Sequence, residues 1–357
     1  MDSLKLTICK VVSCGVFWSL ILSMPLASQE AAQPVYVNFT DSAARMVQVP
    51  RVPTKLVPLG TIAQIFLYTL APDLLVGWSS NPTTDLLSYL PQRMRNLPVF
   101  GQFYGAASTL NMEALISARP DLLIDIGERK PTIVQDMDDI QSRTGIPTVF
   151  IEAGSFDSYA KTYRDLGSLL KLEARAEQLA RFAESTVEYF KNLHNHFARG
   201  RRKARVYYGE EASGLVTIAS GSLHSQTMDF AGLINVANLF QKGGTGRNQV
   251  SMEQLLLWDP DLIILTYGAK ASELQKDPLF RQLRAVQQGR IYDVPVEPFN
   301  WIARPPSINR LVGLYWLAHL AYPDLVSRQI LEARVREFYA LFYHTNLGNA
   351  DLGRFLR

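Results

Sequence analysis

Residues 111–125 read NMEALISARPDLLID, and residues 251–265 read SMEQLLLWDPDLIIL. Aligned without gaps, the two segments are identical at seven of fifteen positions and lie 140 residues apart. In each segment a helical apolar pattern ends at Pro-Asp and a continuous apolar run follows, which is typical of a parallel strand buried on both faces. Because solenoid repeats recur every roughly 20–50 residues, a repeat at this wider spacing predicts two related lobes.

One repeated residue is not explained by packing. Glu113 and Glu253 occupy the same helix position in the two segments, although a helix–strand unit needs no carboxylate there. The alternative interpretation is that any α/β protein can reuse a helix-Pro-Asp-strand unit. In that case each glutamate should have a local structural partner.

The rest of the chain alternates short apolar runs with helical patterns, which favours parallel sheets covered by helices. The predicted elements include strands at Leu56–Leu59, Leu74–Trp78, Thr148–Ile151, Arg205–Tyr208 and Arg290–Val294, and a helix at Asp277–Leu283. Apolar residues at steps of three or four predict one helix over Glu173–Ala198, which would span roughly 39 Å. The predicted fold class is therefore α/β, with two Rossmann-like lobes whose parallel sheets are bridged by a single long α-helix.

The N-terminus has the three parts of a secretory signal peptide. Lys5 and Lys10 precede an apolar run, Val11–Leu22, and small residues follow as far as Ser28. The run is too short to remain as a membrane anchor. Cys14 lies early in the run rather than at its end, so we expect no lipid anchor. The predicted location is the periplasm or an equivalent extracytoplasmic space.

The length of 357 residues is sufficient for two domains, and the formal charge of +3 gives no reason to expect nucleic-acid binding. Both cysteines lie inside the predicted signal peptide, so the mature protein would have no disulfide. We predict a signal peptide at residues 1–28, an N-terminal α/β lobe at 45–155, connecting helices at 156–199 and a C-terminal α/β lobe with terminal helices at 200–345.

Signatures of catalysis and of metal binding are scarce. The chain has no Gly-x-Ser-x-Gly elbow and no His-Glu-x-x-His pair, and the glycines at 243–246 lack the spacing and the lysine of a P-loop. The five histidines are scattered, and only His224 lies where a cleft is plausible. The sequence therefore predicts no catalytic residue, no cofactor and no bare-metal site, which would need three or four convergent ligands.

Aromatic and basic side chains do gather on loops at predicted strand ends. In open α/β sheets, ligands bind beyond the carboxyl ends of the strands. Aromatic rings offer rigid apolar contact area, and arginine captures carboxylates and other oxyanions. The alternative is that these side chains anchor their own loops. The predicted ligand-binding residues are Trp78, Phe103, Tyr104, Arg129, His224, Tyr267, Trp301 and Arg304.

The chain resembles the periplasmic substrate-binding proteins of ABC importers, in the class that carries iron-siderophores, haem, cobalamin and related metal chelates. The resemblance runs from about residue 45 to about residue 340. Its motifs are Asn111-Met112-Glu113 with Arg119-Pro120-Asp121, Ser251-Met252-Glu253-Gln254 with Asp259-Pro260-Asp261, the connecting helix, residues 285–292 and the loop Trp301–Pro306. The histidine ligands of the subgroup that binds bare zinc or manganese are missing.

The resemblance implies a partner and a pocket. Glutamates at the positions of Glu113 and Glu253 dock arginine pockets of the permease dimer at the inner membrane. The ligand pocket would be formed by the loops around Tyr104, Arg129, Tyr267 and Trp301–Arg304. We therefore expect a monomeric binding protein, not an enzyme, whose metal travels as chelated cargo.

The leading hypothesis is capture of a metal chelate, with an iron complex first, and its delivery to an ABC-transporter permease. Within the same class the cargo could be a nickel or cobalt chelate, haem, cobalamin or molybdate. A secreted two-lobed α/β enzyme would need acids near the cleft, and Glu210, Glu211 and Glu297 are the ones well placed. A ligand sensor that signals to a membrane receptor is the third hypothesis.

Overall fold

The computed structural model describes residues 35–104, 108–239 and 247–356. The predicted signal peptide lies outside the described residues. In the N-terminal half the strands are β1 (Tyr36–Thr40), β2 (Met46–Pro50), β3 (Leu56–Pro58), β4 (Leu122–Gly127) and β5 (Thr148–Glu152). The helices up to the connector are α1 (Thr61–Leu70), α2 (Thr84–Tyr89), α3 (Gln92–Arg95), α4 (Met112–Ala118), α5 (Ile133–Thr144), α6 (Tyr159–Leu170) and α7 (Glu173–Ala198).

The C-terminal half repeats the alternation of strands and helices. Its strands are β6 (Arg205–Gly209), β7 (Val216–Ile218), β8 (Ile234–Asn235), β9 (Arg247–Gln249), β10 (Leu262–Leu265) and β11 (Ile291–Asp293). Its helices are α8 (Gln226–Phe230), α9 (Met252–Trp258), α10 (Ala271–Leu274), α11 (Arg284–Gln287), α12 (Arg310–Ala321), α13 (Arg328–Phe342) and α14 (Asn349–Phe355).

Each half contains a parallel sheet, as the sequence predicts. In the N-terminal half the strand order is β3-β4-β5, and in the C-terminal half it is β11-β10-β6-β8. The strands of the repeated segments, β4 and β10, lie inside their sheets and are buried along their whole length. Burial on both faces explains why these runs are continuously apolar.

The repeated segments fold in the same way at both ends of their helices. Asn111 caps α4 by accepting from the N–H of Ala114, and Ser251 caps α9 by accepting from the N–H of Gln254. Each helix ends in a left-handed residue immediately before the shared proline, which cannot continue the helix.

The shared aspartate fixes the strand that follows. The Asp121 carboxylate accepts from the N–H of Lys55, and the Asp261 carboxylate accepts from the N–H of Arg205. Lys55 immediately precedes β3, and Arg205 begins β6. Each aspartate therefore holds its own strand in register with the neighbouring strand of the same sheet. This role explains the repeated Pro-Asp by local structure, whereas it leaves the repeated glutamate unexplained.

Helix α7 runs over Glu173–Ala198, the bounds that the sequence predicts. It packs on α6, α12 and α13. The C-terminal helix α13 also contacts α1 of the N-terminal half, and its Tyr339 packs against Tyr89 at the end of α2. One apolar core therefore extends from the first sheet through α7 to the C-terminal helices. In the part of the chain that the structure describes, no helix is long and apolar enough to cross a bilayer.

Some local predictions were wrong. The segment Leu74–Trp78 is not a strand, because it makes only isolated bridges, with Leu56 on one side and Val99 on the other. The predicted helix at Asp277–Leu283 is reduced to a 3₁₀ turn at Phe280–Gln282. The β1–β2 hairpin, the antiparallel β7–β9 pair and α14 were not predicted.

Candidate functional site

A cavity of about 440 Å³ lies between the two halves of the molecule. Its size falls within the range of small-molecule sites. The N-terminal half contributes α1, residues between α1 and α2, and the first turn of α2. The C-terminal half contributes the ends of β10 and β11 and the loops that follow them. The polar side chains that line it are Thr61, Gln64, Ser80, Asn81, Thr83, Asp85, Thr266, Tyr267, Lys270, Asp293, Asn300 and Arg304.

Arg304 is the charged group of the C-terminal wall whose position is most firmly held. Its Nε donates to Oε1 of Glu210 at 3.0 Å, and Glu210 is fully buried at the end of β6. The second carboxylate oxygen of Glu210 accepts from Nε of Arg247 at 2.7 Å. Because a buried carboxylate without a partner is strongly unfavourable, Glu210 keeps both guanidinium groups close to it. The cluster of Arg304, Glu210 and Arg247 therefore carries two positive charges and one negative charge.

His224 lies behind Arg304 and does not line the cavity. Its Nε2 is 3.3 Å from Nη1 of Arg304, and its Nδ1 is 3.3 Å from the carbonyl oxygen of Ala303. Burial and the Arg304 charge lower the pKa of His224. The ring is therefore neutral at pH 7.

The loop that carries Arg304 is anchored by Asn300. This buried amide donates to Oγ1 of Thr266 and accepts from the N–H groups of Ile302 and Ala303. Tyr267 has a φ of 50°, and its hydroxyl donates to the carbonyl oxygen of Arg304. A positive φ is rare for an aromatic residue and is common at binding sites.

The N-terminal wall is organised around Gln64 of α1. The Gln64 carbonyl oxygen accepts from the backbone and hydroxyl of Ser79 and from the backbone of Ser80. Thr61, the first residue of α1, also lines the cavity. Because the N-cap is Gly60, no side chain covers the N–H groups of the first turn. The N-terminal wall therefore presents backbone N–H groups from the first turn of α1 and hydroxyl groups from α1 and from the loop between α1 and α2.

The structure brings only part of the predicted ligand set to this cavity. Tyr267 and Arg304 line it, and His224 supports Arg304. Trp78 and Trp301 are fully buried core residues. The Trp78 indole N–H donates to the carbonyl of Met94, and Trp301 packs against Phe355 of α14. Neither tryptophan can reach a solute in this cavity unless the surrounding core opens.

Phe103, Tyr104 and Arg129 lie elsewhere on the N-terminal half and do not line the cavity. Tyr104 donates to Asp136, and Nζ of Lys130 lies 3.0 Å from the centre of its ring. Phe103 packs edge-on against Tyr104, and Arg129 is exposed. The contacts of Phe103 and Tyr104 correspond to the alternative interpretation, in which such residues anchor their own loops, whereas the role of Arg129 stays a prediction.

Sequence reasoning missed several residues of the site. Arg247, which pairs with Glu210, follows the glycines at 243–246, and neither it nor Lys270 or Asn300 belongs to a motif that indicates binding. Glu210 was considered only as a possible catalytic acid, but it is buried between two arginines. Another candidate acid, Glu297, pairs with Arg354 at 2.9 Å.

The described residues contain no group of three or more His, Cys, Asp or Glu side chains that could hold a metal ion. The cavity is lined by amides, hydroxyls, the cationic groups of Lys270 and Arg304, and the carboxylates of Asp85 and Asp293. The amides, hydroxyls and cationic groups can donate hydrogen bonds to the oxygen atoms of a solute.

Comparison with known proteins gives the family. A family model described as "Periplasmic binding protein" matches residues 69–298. The chain belongs to the periplasmic binding protein family. The molybdate-binding protein MolA of Haemophilus influenzae is 23 % identical over 260 residues, which cover 68 % of this chain and 72 % of that protein. The Fe(3+)-citrate-binding protein YfmC of Bacillus subtilis is 23 % identical over 194 residues, 53 % of this chain and 58 % of that protein.

A solved structure supports the same assignment. The ABC transporter solute binding protein from Sulfurospirillum deleyianum is 28 % identical and superposes with a TM-score of 0.80, over 89 % of this chain and 98 % of that one. The predicted fold class and family resemblance are confirmed. The family and these relatives are solute-binding proteins, not enzymes.

In this periplasmic binding protein, Glu113 and Glu253 are the second residues of α4 and α9, and both are exposed. Within the described ranges, neither carboxylate forms an ion pair. A hydrogen bond from Ser251 lowers the pKa of Glu253. One turn further on, each helix exposes an aliphatic side chain, Ile116 (44 %) and Leu257 (79 %).

Proposed function

We propose that this chain captures an anionic metal chelate, with a ferric complex as the first candidate, in the cavity between its lobes and delivers it to the permease of an ABC importer. The observation that carries the proposal is the guanidinium of Arg304, which is held on buried Glu210 at the cavity wall. A positioned guanidinium binds carboxylate or other oxyanion groups through charge-assisted hydrogen bonds.

The composition of the cavity supports an anionic solute with many oxygen atoms. Lys270 adds a second cationic group to the lining of the cavity, and Gln64 and Asn81 add amides from the opposite wall. The carboxylates of Asp85 and Asp293 also line the cavity, but Asp293 already accepts from the N–H of Ala271. A chelate presents such oxygen atoms around its metal, so the protein needs no metal ligands of its own.

The delivery step is supported by the two repeated glutamates. Glu113 and Glu253 are exposed on equivalent helices, one in each lobe, and among the described residues neither of them forms an ion pair. Exposed Ile116 and Leu257 lie on the same helix faces, at spacings of three and four residues from the glutamates. Two such patches fit a two-fold symmetric partner that presents a cationic pocket on each half.

The cargo is tested by titration calorimetry with ferric citrate and, in parallel, with molybdate. For the wild type we expect binding of the ferric complex. Arg304→Ala should weaken it roughly ten- to a hundredfold, because a lost charge-assisted contact costs about 1.5–3 kcal/mol. The variant should fold, since Glu210 keeps Arg247 as its partner. Native mass spectrometry of protein purified from its host identifies a cargo other than the two probes.

Arg181→Ala is the matched control. It removes the same charge from an exposed side chain of α7 that pairs with Glu177. This control should bind ferric citrate as the wild type does. Undiminished binding by Arg304→Ala would exclude the proposed anion contact, and binding of molybdate but not of ferric citrate would replace the chelate with an oxyanion.

A further inference from the structure

His224 was predicted to touch the ligand, but its contacts assign it a different role. The ring has two neighbours with opposite requirements. The carbonyl of Ala303 can only accept a hydrogen bond, whereas Nη1 of Arg304 can only donate one. Only one tautomer satisfies both, with the proton on Nδ1 and a free lone pair on Nε2. A protonated ring would lose the bond from Arg304.

We propose that His224 is a positioning residue that must be neutral to hold the Arg304 guanidinium in its cargo-binding orientation. Glu210 accepts from Nε and His224 accepts from Nη1, so two sides of the guanidinium are fixed from behind the cavity wall. Neither Glu210 nor His224 lines the cavity. The inference rests on the proposed function because it assumes that Arg304 meets the cargo.

The charges around His224 favour the neutral ring. Burial has the largest effect on its pKa, and the positive charges of Arg304 and Arg310 also lower it. The carboxylate of Glu210 and the carbonyl of Ala303 act in the opposite direction, and the net shift is downward. The ring is therefore neutral above its ordinary pKa of about 6.5 and is protonated only in more acidic solution. Protonation would place a cation against the Arg304 guanidinium.

Acid should therefore release the cargo through His224. As the pH falls below 6.5 and through the lowered pKa, Nε2 gains a proton and can no longer accept from Arg304. The guanidinium then loses the support of His224 and is repelled by the imidazolium. Cargo affinity falls on the acidic side because the bound state requires the neutral ring.

Two substitutions separate this role from a merely structural one. In His224→Gln the amide oxygen can accept from Arg304 but does not titrate, and in His224→Leu nothing accepts. With ferric citrate at pH 7.5, His224→Gln should bind within about threefold of the wild type, and His224→Leu about tenfold more weakly. Between pH 7 and pH 5 the affinity of the wild type for ferric citrate should fall relative to that of His224→Gln. Protonation of the citrate affects both proteins equally, so it cancels in the ratio of the two affinities.

A measurement without cargo keeps the two proposals apart. In apo protein with ¹⁵N-labelled histidine and arginine, long-range NMR spectra at pH 7 should show His224 protonated on Nδ1 and not on Nε2. The Nε–H signal of Arg304 should shift with the same midpoint as the His224 ring, below pH 6.5, and should not titrate in His224→Gln. An Nε2–H tautomer, or an Arg304 signal indifferent to His224, overturns the positioning role. Failure of the wild type to bind ferric citrate would overturn only the proposed cargo.

Discussion

At the scale of single residues, Asp125 shows how the interior of the N-terminal lobe responds to pH. This carboxyl of β4 is 5 % exposed, and burial raises its pKa to about 6. The folded protein therefore binds a proton there that the unfolded chain releases near pH 4, so stability falls as the pH rises from about 4 to 6. Above pH 6 the ionised carboxylate destabilises the fold by about 3 kcal/mol, at 1.36 kcal/mol per pKa unit.

Asp125→Asn should remove this penalty. Urea unfolding is expected to show a gain in stability of about 3 kcal/mol at pH 7.5 and almost none at pH 4. Asp139→Asn, which changes an exposed carboxylate of α5, should give similar differences at the two pH values. A gain of equal size at both pH values would show that the amide improves packing rather than removing a buried charge.

Sequence patterns place a residue at the candidate site when its position depends only on the strand that precedes it. Tyr267 and Arg304 follow β10 and β11, and the carboxyl ends of parallel strands meet at one edge of a sheet. Trp78 and Trp301 also follow buried segments, but their burial depends on distant parts of the chain. Phe355 covers Trp301 from a helix that begins 48 residues later. No spacing rule contains that information.

At the scale of elements, the sequence predicted what is periodic or repeated. Helix α7 has the predicted bounds, and both copies of the helix-Pro-Asp-strand unit fold as a short helix followed by a buried strand. The segment Leu74–Trp78 was misassigned because its apolar run pairs with different neighbours at its two ends, which periodicity does not reveal. The bracing of the N-terminal lobe by α13 is likewise a tertiary contact between segments far apart in sequence.

The contacts between α13 and the N-terminal lobe affect how far the two lobes can close when a ligand binds. Helix α7 by itself favours a small closure, because bending a packed helix breaks its hydrogen bonds. In the structure, α13 ties the lobes together as well, through Tyr339 against Tyr89 and Tyr343 against Tyr68. We therefore expect closure of only a few degrees, and almost no change in the radius of gyration when ferric citrate binds.

Small-angle scattering tests both restraints. A variant with Ser185→Gly and Glu188→Gly loosens exposed positions of α7, and each glycine costs about 1 kcal/mol. Because α13 remains in place, this variant should close no further than the wild type does. A larger contraction in the variant would show that α7 alone restrains the lobes, and a large contraction in the wild type would contradict a small closure altogether.

At the scale of the whole molecule, the two lobes present the same surface twice. Asp121 and Asp261 account for the repeated Pro-Asp through strand register, whereas Glu113 and Glu253 have no such structural role. In the proposed function, the two repeated glutamates meet a partner that contacts both lobes. The family model is consistent with such a partner, since proteins of this kind work with ABC transporters.

Reversal of both charges tests the docking surface. In Glu113→Arg with Glu253→Arg, two arginines would face cationic pockets, and like-charge contact opposes association. We expect uptake of ferric citrate by cells to be lost while the purified variant binds ferric citrate and unfolds as the wild type does, because both side chains are exposed and lie outside the cavity. Glu332→Arg with Glu337→Arg on α13 reverses the same number of exposed charges and should leave uptake unchanged. Normal uptake by the first variant would exclude the docking role, and loss of ferric citrate binding would assign the two glutamates to the fold instead.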